Sequence, residues 1–266
     1  MDPDTFRLRT QIAAAIRNRK NRPLTANAKL HDGRRLLIAS YNVHKCVGTD
    51  GRFDPGRIAQ VIKEIDPDII ALQEADKRFG ERVGLLDLGH LEREVGLSWV
   101  GTIGTTRAHG WHGNVVLARH SIVRDLHPVT LPGLEPRGAL VAELELKSGA
   151  RLRVIGAHLG LLRHSRRLQA NALSGFVASR RDIPTVLMGD LNEWRLGRSS
   201  SLAGLTPLFC DVPAPVASFP SRLPLFALDR IVSDREGLIG WYGAHDSALS
   251  RVASDHLPVK AYVEVS

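Results

Sequence analysis

Cysteine is scarce in this sequence of 266 residues, in which Cys46 and Cys210 are the only two. Neither belongs to a Cys-x-x-Cys pattern, which argues against a zinc ribbon, and a single pair of cysteines does not make a disulfide framework. Because disulfides persist mainly in oxidising compartments, the low cysteine content favours a reducing compartment. We therefore predict a cytoplasmic location.

Long apolar runs are also missing from the sequence. No run approaches the roughly 18 residues that a membrane-spanning helix needs. The first 30 residues lack the apolar core of a signal peptide. They carry basic residues instead: Arg7, Arg9, Arg17, Arg19, Lys20 and Arg22. These absences predict neither membrane insertion nor secretion.

The charge is unbalanced, with 36 Lys and Arg against 28 Asp and Glu and a formal net charge of +8. A basic protein attracts polyanions, which include nucleic acid, anionic membrane surfaces and phosphorylated metabolites. The charge does not choose among these partners, and solubility alone is an equally good interpretation. No pattern predicts a protein partner.

The sequence divides into a basic extension over residues 1–30 and one domain over residues 31–266. Within the extension, residues 12–16 are rich in alanine and predict a helix, which Pro23 ends. This helix has two interpretations: an amphipathic helix on an anionic surface or a frayed chain end.

Short apolar segments alternate with turns over the rest of the chain and predict a mixed fold. Helical spacing predicts helices over residues 55–65, 85–95 and 165–179. Apolar runs predict strands over residues 36–41, 68–72, 98–103, 114–118, 139–146, 152–157, 185–188, 227–232, 238–241 and 259–263. The segment 207–224 is rich in proline and predicts a loop. Many strands with few helices favour a β core covered by helices.

Polar residues end several of these apolar runs. They are Asn42, Glu74, His158, Asp190 and Asn192, with Asp229 in a strand-like segment and Asp255-His256 before the last strand. Carboxylates at several strand ends predict one shared edge, where a cation would relieve their mutual repulsion. Oxygen ligands with isolated histidines favour Mg²⁺ or Mn²⁺ over zinc. Such an ion beside a histidine suits phosphoryl chemistry, because the histidine can deprotonate water at neutral pH.

Six short motifs resemble the endonuclease/exonuclease/phosphatase superfamily, which includes deoxyribonuclease I, exonuclease III-like nucleases, bacterial sphingomyelinases and inositol phosphatases. The motifs occur in that family's order between residues 41 and 258. They are Tyr41-Asn42-Val43-His44, Leu72-Gln73-Glu74, Ala157-His158-Leu159, Gly189-Asp190-Leu191-Asn192, Leu228-Asp229-Arg230-Ile231 and Ser254-Asp255-His256-Leu257-Pro258.

The resemblance implies a four-layer α/β sandwich in which two packed β-sheets are flanked by helices. It implies a metal-dependent phosphoesterase with Mg²⁺ or Mn²⁺ as its cofactor. The implied metal ligands are Glu74, Asn42, Asp255 and Asp190. His256 is the implied general base and Asp229 orients it, while Asp190 and Asn192 position the phosphate or the water. His158 assists the leaving side, and Arg137 contacts the phosphate.

One departure from deoxyribonuclease I concerns the stretch Gly110-Trp111-His112-Gly113, which stands where that enzyme has a Tyr and a Glu. The departure leaves the orienting partner of His158 open. Three functions therefore remain: a phosphodiester hydrolase such as a nuclease, the same mechanism on a phospholipid or small phosphorylated metabolite, and a non-catalytic binding module on this fold.

Overall fold

The computed structural model describes residues 35–77, 80–101, 108–180, 182–195 and 197–265. The predicted N-terminal helix lies outside the described residues, as do residues 102 and 103 of one predicted strand. Of the helices in the described part of the chain, none has the length and apolar composition that crossing a membrane requires.

The described residues form two β-sheets. The first contains β1 (Arg35–Asn42), β2 (Ile69–Gln73), β3 (Ser98–Trp99), β4 (Val115–Ala118), β10 (Ile239–Ala244) and β11 (Val259–Glu264), in the order β10-β11-β1-β2-β4-β3. The second contains β5 (Ile122–Leu131), β6 (Arg137–Glu145), β7 (Arg151–His158), β8 (Thr185–Asp190) and β9 (Asp229–Ser233), in the order β5-β6-β7-β8-β9. In each sheet one strand pair, β1 with β2 and β7 with β8, is parallel.

The helices lie outside the two sheets. They are α1 (Pro55–Ile65), α2 (Leu88–Val95), α3 (Arg163–Ala178) and α4 (Ser250–Ala253), with 3-10 turns at His44–Cys46 and Gly197–Ser199. Ile58 of α1 and Leu91 of α2 share one buried cluster with Leu72 of the first sheet. Leu173 of α3 shares another with Leu187 of the second sheet. A third buried cluster joins the facing sides of the two sheets. The predicted four-layer sandwich is confirmed.

Local sequence signals set the helix boundaries. Asp54 accepts a hydrogen bond from the Arg57 backbone N–H at 3.1 Å, and Pro55 begins α1, as predicted. The second helix begins at Leu88 and not at residue 85, because the Asp87 side chain caps it by accepting from His90 N at 2.8 Å. Gly96 ends that helix in the left-handed conformation at φ 71°.

The sequence patterns missed strand β5. It lies at the edge of the second sheet, and most of its residues are exposed or half-buried. Its run therefore lacks the apolar pattern of a buried strand, and Pro128 interrupts it. Proline is tolerated there because an edge strand leaves half of its backbone N–H groups unpaired. The short helix α4 was also missed, since four residues carry no periodicity.

Gly189 allows the close approach of β8 to β7 next to a predicted site residue. A Cβ at Gly189 would lie 1.8 Å from the backbone oxygen of Ala157. We expect Gly189→Ala to lower the free energy of unfolding by at least about 1–3 kcal/mol, the cost of overpacking a core. Gly175→Ala is the matched control, because a Cβ at Gly175 in α3 meets nothing within 4 Å.

Urea denaturation of both variants tests this expectation. The Gly175 control should gain about 0.5–1 kcal/mol, because alanine loses less backbone entropy than glycine in a helix. A Gly189→Ala protein as stable as the parent would show that β7 and β8 can separate without cost.

Candidate active site

Three polar residues lie side by side where strands of the second sheet meet their loops. His158 ends β7, Asp190 ends β8 and Asp229 begins β9. The strand register pairs His158 with Asp190 and Asp190 with Asp229. All three side chains are buried. The convergence predicted from the strand ends is therefore present, and it follows directly from the register.

His256 and Asp229 form a buried hydrogen-bonded pair. His256 Nδ1 lies 2.8 Å from Asp229 Oδ2, and the Ser218 hydroxyl donates to the same oxygen at 2.5 Å. The Phe219 ring lies against the imidazole, with the ring centroids 4.8 Å apart. Burial by itself would lower the pKa of His256, but the carboxylates of Asp229 and Asp190 raise it. The surroundings therefore stabilise the imidazolium that forms when His256 takes a proton.

Asp190 lies at the centre of the cluster. Its Oδ2 accepts a hydrogen bond from Asn42 Nδ2 at 3.0 Å, which links the two sheets, and lies 3.8 Å from His256 Nε2. Its Oδ1 accepts from the Asn192 backbone N–H at 2.9 Å. Burial raises the pKa of Asp190, the charge of His256 lowers it, and the carboxylate of Asp229 raises it further. A cation nearby would relieve that cost.

Asn192 is held in a turn beyond β8. Its backbone has the left-handed conformation at φ 52°, and its Nδ2 donates to the Leu159 backbone oxygen at 2.9 Å. Asparagine tolerates this conformation better than most residues. The Asn192 side chain thus adjoins the end of β7, where His158 lies.

Glu74 and Asp255 face a tight turn over residues 44–46. Lys45 Nζ lies 2.5 Å from Glu74 Oε2, and His44 Nδ1 lies 3.7 Å from Asp255 Oδ1. Burial alone would raise the pKa of Glu74, but His158, when its ring is protonated, and the ammonium of Lys45 lower it to about 2. His44, Lys45, Cys46 and Glu74 all have positive φ, between 46° and 60°. Such backbone strain is common at functional sites.

Of the predicted metal ligands, Asp190 lies in a cluster with Asp229 and His256, which were predicted as the orienting carboxylate and the base. Asp190, Asp229 and His256 place one ligand atom each within 4.8 Å of one another. Glu74 and Asp255 do not join Asp190 in a second group of this kind within the described residues. The residues nevertheless fit a hard cation, since they offer carboxylate and amide oxygens and a lysine ammonium already contacts Glu74. The ligand set Glu74, Asn42, Asp255 and Asp190 stays a prediction.

Arg137 contacts His158, whose partner the sequence left open. Arg137 Nη1 lies 3.0 Å from His158 Nδ1. Because a guanidinium can only donate hydrogen bonds, Nδ1 must accept, and the ring proton is then on Nε2. That Nε2 faces Asp190 Oδ2 at 3.4 Å. The contact therefore favours a neutral His158 that donates from Nε2 toward the centre of the site.

We expect that in Arg137→Met the proton of the His158 ring is no longer restricted to Nε2. The ¹⁵N chemical shifts of the His158 ring should change from a protonated Nε2 toward a mixture of both forms. The ring should also lose its fixed orientation. This should lower kcat by up to about 100-fold, which is the effect of displacing a reacting group by about 1 Å.

Arg82→Met is the control for this variant, because Arg82 lines the same pocket but is paired with Asp76. It should leave the His158 ring signals unchanged. An unchanged tautomer in Arg137→Met would contradict the inferred role of Arg137, and a rise in KM alone would indicate phosphate binding only.

A narrow pocket opens beside His158. Its wall contains both basic and acidic side chains and is lined by Lys45, Glu74, Asp76, Arg82, His112, Pro136, Arg137 and His158. Arg82 closes one side through two hydrogen bonds to Asp76, at 2.7 and 3.2 Å. Burial lowers the pKa of His112, and the charge of Arg82 lowers it further. The pocket is suited to a small anionic group.

The sequence patterns did not single out Ser218 or Arg82. Ser218 lies in the proline-rich segment, yet its backbone oxygen accepts from Leu257 N at 2.8 Å, which fixes it beside His256. Arg82 lies in the loop after Glu74 and acts through Asp76. Neither residue belongs to a recognisable motif, so only the folded structure reveals these contacts.

Comparison with known families accounts for this arrangement. The profile described as "Endonuclease/Exonuclease/phosphatase family" matches residues 39–256, which is most of the chain. The chain belongs to the endonuclease/exonuclease/phosphatase family. Members of this family are phosphoesterases, and the buried Asp190, Asp229 and His256 group is compatible with metal binding. Among curated proteins, none matches the sequence significantly.

Solved structures with the same fold are distant in sequence. An endonuclease/exonuclease/phosphatase family protein from Bacteroides thetaiotaomicron is 17% identical, with a TM-score of 0.67 over 86% of this chain and 97% of that one. A mannosyl-6-phosphatase from the same species is 18% identical, with a TM-score of 0.65 over 87% and 99%. D. rerio TDP2, complexed with a single strand DNA product, is 16% identical, with a TM-score of 0.65 over 86% and 98%. At these identities the likeness shows the fold alone.

Proposed function

We propose that this family member is a metal-dependent phosphodiester hydrolase in which His256 activates water. The observation that carries the proposal is the buried His256–Asp229 pair, whose Nε2 points toward Asp190 and whose Nδ1 is bound by a carboxylate. Burial lowers the pKa of His256, but the carboxylates of Asp229 and Asp190 raise it to about 10, so the ring is protonated at neutral pH while no cation offsets their charge. A metal ion held near Asp190 would lower that pKa, and the neutral ring can then accept a proton from water, typically contributing about 10²–10⁴ in rate. Its surroundings then stabilise the positive charge that results.

The other residues of the site supply orientation. Asn192 and Asp190 lie where they can hold the attacking water or a phosphate oxygen, because both adjoin the end of β7 and β8. His158 presents an Nε2 proton and can donate a hydrogen bond to the phosphate or the leaving oxygen. Arg137 orients this ring and adds positive charge to the pocket.

Mg²⁺ or Mn²⁺ fits the oxygen donors near Asp190. Glu74, Asn42, Asp255 and Asp190 are the residues that would hold it. When bound, the ion would polarise the phosphorus-bound oxygens and lower the charge that the incoming water meets. Lys45, whose ammonium contacts Glu74 Oε2, would lie beside the ion and could contact a substrate phosphate.

A second candidate is hydrolysis of a small phosphate monoester. The observation that favours it is the narrow pocket, in which Lys45, Arg82 and Arg137 surround a space suited to a terminal phosphate. One structure of the same fold is named a mannosyl-6-phosphatase, a name that describes a phosphate monoester as substrate. The TDP2 complex contains single-stranded DNA instead. A phospholipid would be hydrolysed by the same chemistry, and the experiment below therefore includes phospholipid vesicles as a third substrate.

The test measures turnover of bis-p-nitrophenyl phosphate and p-nitrophenyl phosphate with Mg²⁺, Mn²⁺ or EDTA. Diester turnover that EDTA and His256→Ala both abolish supports the first proposal. Faster turnover of the monoester, reduced in Arg82→Met, favours the second candidate. If both esters are inert, and duplex DNA, single strands and phospholipid vesicles are too, hydrolysis is refuted and the binding module gains support.

Salt dependence then separates nucleic acid from small substrates. A nuclease neutralises several backbone phosphates, so its affinity falls steeply as salt rises. A metabolite held in the narrow pocket contacts few charges and should show a shallow dependence. A steep dependence for single-stranded DNA would therefore assign the net charge of +8 a role in substrate binding.

A further inference from the structure

A second cavity lies away from the catalytic cluster, on the helix side of the second sheet. Its volume is about 440 Å³, within the range of about 300–1,000 Å³ typical of ligand pockets. Leu191 and Val232 form its floor, and Leu205 and Phe209 form its inner wall. The lining is mostly apolar, so the cavity suits an apolar group.

The rim of this cavity is open to solvent. Ala203 and Thr206 are exposed on one side, and Val212 is 55% exposed on another. An exposed valine beside an apolar cavity is unfavourable in water, and a bound apolar group would cover it. A ligand can enter here without movement of either sheet.

Arg230 gives the cavity a positive charge. This residue follows Asp229 on β9 and is buried, with 6% of its surface exposed. Its Nη2 donates to the Glu193 backbone oxygen at 3.2 Å, and its Nε has no hydrogen-bond partner among the described residues. Burial lowers the pKa of Arg230, whereas Tyr242 and the carboxylates of Asp229 and Glu193 act in the opposite direction.

The described lining of the cavity is basic. Arg195, the other basic residue in the described lining, lies 3.8 Å from a carboxylate oxygen of Glu193 and is thereby partly compensated. No described residue of the lining is acidic. Because the carboxylates of Asp229 and Glu193 offset part of the charge of Arg230, the positive charge that remains suits one carboxylate, to which a guanidinium donates charge-assisted hydrogen bonds. A dianionic phosphate would leave excess negative charge in an apolar site.

We propose that this cavity binds a free carboxylate with an unbranched apolar tail, such as a medium-chain fatty acid. The tail occupies the space between Leu191, Leu205 and Phe209, and the carboxylate meets Arg230. This site is separate from the proposed hydrolysis, because Leu191 and Arg230 point away from Asp190 and Asp229 on alternating strand positions. Binding can therefore be measured with no substrate and no metal present.

The test is isothermal titration calorimetry of the full chain with decanoate and, in parallel, with decanol. Saturable binding of decanoate, tighter than that of decanol, is the expected result. Ala203→Phe fills the cavity from its exposed rim and should abolish the binding. Ala178→Phe, an equally exposed alanine at the end of α3, is the matched control and should bind as the parent does.

A further variant tests the role of the charge. Arg230→Met keeps the length of the side chain and should weaken decanoate binding by about 10–100-fold, the loss of a hydrogen bond to a charged group. Its affinity for decanol should stay the same. Circular dichroism and thermal unfolding establish that each variant folds.

Three results would overturn the proposal. The first is the absence of saturable decanoate binding to the parent protein. The second is binding that Ala203→Phe leaves unchanged, which would place the ligand elsewhere. The third is equal affinity for decanoate and decanol, or an Arg230→Met variant that binds both as the parent does. None of these results bears on hydrolysis, whose own test uses phosphate esters.

Discussion

Asp229→Asn is expected to lower kcat by about 10²–10⁴-fold. Losses of this size follow when a general base, or the carboxylate that orients it, is removed. In the parent protein, Asp229 Oδ2 accepts from both His256 and Ser218. An amide at this position lacks the negative charge that stabilises the imidazolium, and its NH₂ group can hold the ring in the wrong tautomer. The measurement is kcat for the preferred phosphate ester at saturating metal.

Stability should fall together with activity, by an amount that depends on pH. The Asp229 side chain is fully buried and is paired with His256, whose pKa burial lowers and the neighbouring carboxylates raise to about 10. Removing one partner of a buried ion pair leaves the other charge uncompensated, which costs about 3–5 kcal/mol. We therefore expect Asp229→Asn to lower the midpoint of urea unfolding most below about pH 6.5, and less as the pH rises toward 10 and His256 loses its proton. Measuring kcat where circular dichroism shows that the variant is folded separates a catalytic effect from a folding defect.

Ser218→Ala is the matched control for the same carboxylate. It removes one hydrogen bond to Asp229 Oδ2 and leaves the contact to His256 in place. Its effect on kcat should be smaller than that of Asp229→Asn, because the carboxylate charge stays in place and only one hydrogen bond to that charge, worth roughly 1.5–3 kcal/mol, is lost. Equal losses in the two variants would mean that Ser218, and not the carboxylate charge, governs His256. Full activity in Asp229→Asn would contradict the proposed base.

The elements that the sequence predicted share one property: each has a local sequence pattern that reflects its burial. Helix α1 has a capping aspartate, a proline at its first position and an apolar stripe, and its predicted bounds agree with the structure. Strand β8 is wholly buried and was found as an apolar run, two residues short. Strand β5 was missed because an exposed edge strand carries no such pattern.

The convergence of the site residues was predictable for a similar reason. Polar residues at the ends of apolar strands must share an edge once the strands pair in register, as His158, Asp190 and Asp229 do. The partners of those residues were not predictable. Ser218 reaches Asp229 from eleven positions away through a loop without secondary structure. The contact of Arg137 with His158 depends on the pairing of β6 with β7, which periodicity does not set.

We expect Glu74→Gln to lower the affinity for Mn²⁺ by at least about 10–100-fold. Mutation of a residue that only orients a metal ligand already costs this much, and loss of the charge of a ligand should cost no less. The carboxylate of Glu74 is paired with a lysine, since Lys45 Nζ lies 2.5 Å from Oε2. Its pKa of about 2 keeps it charged throughout the neutral range. Calorimetric titration with Mn²⁺, without substrate, measures the effect independently of activity.

Lys45→Met should change the Mn²⁺ affinity in the opposite direction. In the parent protein a metal ion at Glu74 would be repelled by the ammonium of Lys45, which contacts Glu74 Oε2. Removing that charge should raise the Mn²⁺ affinity by about tenfold, since one paired charge removed is worth on the order of 1 kcal/mol at a partly exposed site. If kcat falls at the same time, Lys45 also serves the substrate phosphate.

The two variants together distinguish a metal site from a structural ion pair. At a metal site, Glu74→Gln weakens and Lys45→Met strengthens Mn²⁺ binding. At a structural ion pair, both variants lower the unfolding midpoint and neither changes Mn²⁺ binding. Because the Lys45 side chain is 38% exposed and the Glu74 side chain 23%, the pair adds little to stability. A carboxylate so placed, at positive φ beside His158, is better explained by a role in binding than by a role in folding.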